Sequence, residues 1–136
     1  AAAASAAGAA LIGPRRARAF GEASRLALAQ VQHGGRWNPR PTALRRLGWE
    51  GARRTSIDTA REAIPARLDA PGLHRTPMLY LAGDGAFPPF SEAERAALRR
   101  HLQYGGFLLA DAADASDGSV FDLAVRRPIM PALMLK

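Results

Sequence analysis

Residues Pro77–Asp111 read PMLYLAGDGAFPPFSEAERAALRRHLQYGGFLLAD. Met78–Ala82 is a short unbroken apolar run, the pattern of a strand buried on both faces of a parallel sheet. Ser91 and Glu94 stand at the S-x-x-E spacing of a capping box, which predicts a helix beginning at Glu92. On a helical projection Ala93, Ala97, Leu98, Leu102 and Tyr104 share one arc, while Glu92, Arg95, Arg99, Arg100 and Gln103 share the other. Tyr-Gly-Gly then predicts a stop, with Gly105 or Gly106 in the left-handed conformation. Phe107–Asp111 is a second apolar run. Strand, capped helix, glycine stop and strand make a βαβ unit, whose strands should be parallel and whose crossover should be right-handed.

Outward from this unit the signals weaken. Upstream, Ser24–Gln32 carries Leu26 and Leu28 in alternation and then Val31, which reads as a first strand. His33–Pro41 breaks it with two glycines and two prolines. Leu44, Leu47 and Ala52 follow at helical spacing, with Thr42 as N-cap. Gly48 and Gly51 inside that helix cost about 1 kcal/mol each relative to alanine, so it should depend on tertiary packing. Thr55–Asp58 is read as a short edge strand, and residues 59–76 as irregular. Downstream, 112–119 reads as a loop and Phe121–Arg127 as a short helix stopped by Pro128. The fold class expected is α/β: three layers around a mostly parallel sheet.

The chain has 136 residues, 48% of them hydrophobic and 23% charged, a globular composition of about one domain. Cysteine is absent, which removes disulfides, thiolate metal sites and a cysteine nucleophile together. Three of the nineteen basic residues (Arg15, Arg16, Arg18) lie in the acid-free first nineteen positions, and the remainder carries sixteen basic against twelve acidic residues. That surplus is modest, and no stripe of aromatic and basic residues accompanies it, so nucleic acid is not the expected partner.

The first thirteen residues, AAAASAAGAALIG, are apolar and low in complexity, but too short for a membrane span. Ala17-Arg18-Ala19 fits the small-x-small pattern at which signal peptidase cuts. The expectation is an exported, periplasmic or extracellular protein with no transmembrane segment in its mature chain; an alanine-rich arm is the alternative. The expected divisions are a signal-peptide-like segment over 1–19, an α/β domain over 20–127 and a divergent tail over 128–136.

The segments GGRWNPRP, RRTSI, YLAGDGAFPPFSEAERAALRRHL and GGFLLADAADASDGSVFD occur in this order. Together they resemble a bacterial domain-of-unknown-function family, number forty-one fifty-nine, from about Phe20 to Arg127. The resemblance implies a class I glutamine amidotransferase-like, flavodoxin-like fold, export from the cytoplasm, and envelope-associated protein partners. It also implies a domain that continues beyond Arg127, where VRRPIMPALMLK departs from the pattern, as in a truncated or frameshifted copy.

In open α/β sheets ligands gather beyond the carboxyl ends of the strands. On this reading those ends carry His33 and Gly34, then Gly83, Asp84 and Gly85, then Asp111. With Trp37 and Asn38 in the semi-rigid proline-containing loop, these are the candidate ligand-binding residues. Amidotransferases of this fold place a cysteine just after the equivalent of FLLAD; Ala112 and Ala113 stand here, so that nucleophile is missing. Asp111, Asp114 and Asp117 are spaced to converge in a loop and are the candidate ligands for a divalent cation, with no other cofactor indicated. Against this, Asp and Ser favour such loops simply by capping backbone N–H groups. The functional expectation is a non-catalytic domain that binds a protein or small-molecule ligand. The alternative is a metal-dependent or acid–base hydrolase using the carboxylates at the strand ends. His101, beside Leu98 and Leu102, is read as a packed, hydrogen-bonded core histidine.

Overall fold

A computed structural model describes residues 25–114, 116 and 118–134. The alanine-rich segment therefore lies outside the described residues. Four strands form one sheet: β1 (Leu28–Val31), β2 (Ile64–Ala66), β3 (Met78–Gly83) and β4 (Phe107–Ala112). Their spatial order is β2-β1-β3-β4, and every pairing is parallel. The α-helices among the described residues are α1 (Ala43–Arg54), α2 (Glu92–Gln103) and α3 (Val120–Met134). The strand order and parallel sheet give a flavodoxin-like α/β arrangement, with the order reversing between β1 and β3.

Alternation along the strands builds two cores. Ala29 and Val31 of β1, with Leu79 and Leu81 of β3, pack with Leu98 of α2 and with Phe121, Val125 and Ile129 of α3. Leu28, Tyr80 and Ala82 turn the other way and meet Leu44 of α1. The sheet is thus a middle layer with two helices on one side and one on the other. β3 is central and buried, as an unbroken apolar run should be. β4 is an edge strand, and its first residue, Phe107, is 57% exposed.

The βαβ unit forms as its local signals predict. The Ser91 hydroxyl accepts from the Glu94 N–H at 3.2 Å, and the Glu94 carboxylate accepts from the Ser91 N–H at 2.9 Å. Glu94 also accepts from Arg67 at 3.1 Å, which ties the segment after β2 to the start of α2. Gly105 takes φ 89°, the left-handed conformation that ends the helix. Tyr104 leaves helical geometry as the C-cap residue and stands 86% exposed, not on the buried arc expected for it. Ala93 is exposed as well.

Three expectations are corrected. Thr55–Asp58 is not a strand; the edge strand is Ile64–Ala66, and Leu26 and Thr59 form only an isolated bridge. Pro65 is tolerated there because an edge strand leaves one side of its backbone unpaired. Second, α3 does not stop at Pro128 but runs on to Met134. Losing the helical N–H groups at Pro128 and Pro131 is offset by burial of Phe121, Val125 and Ile129 along one stripe. Third, Thr42 occupies the N-cap position of α1 but its side chain makes no capping bond. That helix leans on packing, as expected: Gly48 is buried, and the Thr59 hydroxyl donates to its carbonyl at 2.8 Å.

Candidate functional site

The loops after β1 and β3 meet where the strand order reverses, and His33 is the hinge of that meeting. Its Nε2–H donates to the Ala82 carbonyl at 2.8 Å, and its Nδ1 accepts from the Gly35 N–H at 3.1 Å. Both ring nitrogens are therefore committed, in the neutral Nε2–H tautomer. Burial pushes the ring below the usual histidine value, against a smaller opposing effect of the Ala82 bond. The ring lies 4.3 Å from Phe87 and 6.0 Å from Phe121, centre to centre. Phe87 in turn contacts Phe90 and Phe121 at 5.3 and 5.6 Å, so His33 joins an aromatic cluster continuous with the core.

Three glycines at this joint allow close approach. A Cβ at Gly35 would lie 2.9 Å from the Phe87 Cβ, and one at Gly83 would lie 2.4 Å from the Phe121 ring. Gly34 packs against Pro88 in the same way. Of the candidates at this point, His33, Gly34 and Gly83 come together, but as a packed joint between loops. Gly85 has open space around it. Asp84 turns outward and is bound by Arg36 at 2.7 Å.

Asp111 belongs to a second group, on the α1 side of the sheet. The Tyr80 hydroxyl donates to its Oδ2 at 2.5 Å, and Arg40 lies 3.7 Å away. Burial, and then the Asp111 carboxylate, push the phenol well above its ordinary range, so Tyr80 stays protonated as a donor. A cleft of about 330 Å³ opens here between α1 and β4, lined in part by Leu44, Leu47, Tyr80, Leu109 and Asp111. A neighbouring hollow of about 230 Å³ holds Trp37 and Asn38 with Gln30 and Arg45. Gln30 donates to the Trp37 carbonyl at 2.8 Å and so fixes the proline-containing loop over the sheet.

The acidic loop is divided. Asp111 faces Tyr80, whereas Asp114 accepts from the Ser119 hydroxyl at 2.7 Å, and that hydroxyl accepts from the Asp122 N–H at 3.1 Å. Asp114 thus supports the start of α3. Asp117 lies outside the described residues. Among the described residues no group of three His, Asp or Glu side chains stands together as a metal-holding set. Ala112 ends β4 and Ala113 bonds back to the Gly83 carbonyl at 2.8 Å, so alanines occupy the position after the strand.

Sequence reasoning missed Phe87, Tyr80, Arg36 and Arg40, which turn isolated candidates into engaged pairs. Tyr80 and Asp111 share a face because the register of β3 and β4 sets Ala82 opposite Asp111, a pairing that the two apolar runs alone do not fix. No helix among the described residues is long and apolar enough to cross a membrane. A search of the curated proteins finds no match. A scan of family models matches residues 27–135 to the one described as "Domain of unknown function (DUF4159)", which spans all four strands and all three helices, and the chain belongs to that family.

Proposed function

We propose that the chain is a non-catalytic binding or interaction domain whose partner docks on the α1 side of the sheet. One observation carries the first half of this reading. At the carboxyl edge His33 spends both nitrogens on backbone, Asp84 is held by Arg36, Asp111 by Tyr80 and Arg40, and Asp114 by Ser119. A general base needs a free lone pair aimed at substrate, and a nucleophile needs such a base beside it. These groups act instead as ties between loops.

The second half rests on the exposed stripe of α1. Arg45, Trp49 and Arg53 recur at four-residue spacing and share one line of the helix. Trp49 is 56% exposed, with the Arg53 guanidinium 5.2 Å from its ring centre. Leu47 and Ile57 are also exposed. Tryptophan and arginine are the residue types that anchor protein interfaces, and the surplus of positive charge here favours an acidic partner surface.

The test has two arms. A photo-crosslinking residue at position 49, in cells that make the protein, should capture a partner that Arg45→Glu with Arg53→Glu releases. The purified chain should turn over no ester, phosphoester or amide substrate, with or without Mg²⁺ and Ca²⁺. Turnover that disappears in the Asp84→Asn, Asp111→Asn double variant would overturn the non-catalytic reading. Capture that is indifferent to the arginine changes would overturn the docking face.

A further inference from the structure

A cavity of about 730 Å³ lies between the last turns of α2 and segment 68–74. Pro77, which leads into β3, and Gly106, which leads into β4, border it, so it sits at the amino end of the sheet. Its size falls within the range of small-molecule sites. Leu68, Pro71, Leu73 and Ala97 make its walls largely apolar.

The polar groups on those walls are mostly cationic or nitrogen-bearing. His101 is 8% exposed, and its Nε2 has no hydrogen-bond partner among the described residues. Buried polar atoms normally have one. The expectation of a hydrogen-bonded core histidine is thus corrected at this nitrogen: the ring packs, but Gly106 offers Nε2 nothing to bond. A Cβ at Gly106 would lie 2.1 Å from it, so the wall follows the ring's outline only because that residue is glycine. Arg100 is exposed and forms no ion pair among the described residues. The single carboxylate on the wall, Asp69, is already bound by Arg67 at 3.0 Å. The carbonyls at the end of α2 would repel an anion, but those of Arg100, His101 and Leu102 accept from the N–H groups of Tyr104, Gly106 and Gly105. Tyr104, exposed at the rim, offers an aromatic face.

We propose that this cavity binds a small carboxylate with an apolar or aromatic body. The Arg100 guanidinium matches the two oxygens of a carboxylate, the Leu73 and Pro71 wall and the Tyr104 ring take the body, and the His101 ring, its Nε2 covered by Gly106, lines the wall. The site is at the opposite end of the sheet from the groups that carry the non-catalytic reading and stands without it.

The whole chain is titrated with 3-phenylpropionate, and in parallel with its neutral amide, while histidine ring and backbone amide resonances are followed. The acid should shift the His101 ring and the amides of residues 97–106, and bind at least about tenfold tighter than the amide. Arg100→Gln should erase that preference, and Tyr104→Ala should weaken both ligands alike; both side chains are exposed, so both variants should melt as the parent does. Equal binding of acid and amide, a His101 ring that does not move at millimolar acid, or an Arg100→Gln variant that keeps the preference would overturn the assignment.

Discussion

The two ends of the sheet invert what this fold usually does. At the carboxyl end, where open α/β sheets hold their ligands, His33, Phe87 and Phe121 pack together and Asp84, Asp111 and Asp114 are each paired within the chain, with a cleft left on the α1 side. At the amino end, usually a place of plain turns, a cavity stands open beside a buried nitrogen with no partner. The position of a site within a fold family is thus a prior, and side-chain chemistry decides. The packed joint at His33, Gly83 and Phe121 should behave as a stability element, and the amino-end cavity should not.

The largest expected effect breaks the joint outright. Phe121 is 1% exposed and fills the space left by Gly83, so Phe121→Ala should cost about 3–5 kcal/mol, read from the urea midpoint. Tyr80→Phe removes one charge-assisted bond to Asp111 and should cost about 2 kcal/mol in the same measurement. A full-sized loss there with no loss in Phe121→Ala would reverse the ranking of the two groups.

His33 gives a pH test with a definite sign. Its folded value lies below the ordinary 6.5, so the unfolded chain binds the proton more readily. The stability from its neutral form is complete above pH 6.5, and is lost as pH falls from there through the folded value. His33→Gln should flatten that part of the profile, read by melts across the range. At the amino end, Arg100→Gln should change stability by no more than about 0.5 kcal/mol, the smallest effect of the four.

What the sequence could show follows the same division between local and distant causes. The capping box at Ser91 and Glu94, the stop at Gly105 and the two apolar runs are signals within one element, and all four appear in the fold. β2 stayed hidden because three residues with a central proline carry no alternation; the strand exists because β1 offers it an edge. α3 ran through Pro128 because its buried stripe packs on β3 and α2, a tertiary cause. At the site, the candidates were found singly and their partners were not. Arg36 meets Asp84 across 48 positions of chain, and His33 meets Ala82 across 49, through a strand register that residue types alone do not encode.

The loops after β1 and β3 form a packed structural joint around His33. The most direct test of that joint is the nitrogen spectrum of the histidine rings, recorded before and after adding Mg²⁺, Ca²⁺ and inorganic phosphate. His33 should show the neutral Nε2–H tautomer near neutral pH, and none of the three additions should move its resonances. A His33 ring in the other tautomer, or one that shifts on adding a cation or phosphate, would contradict the joint.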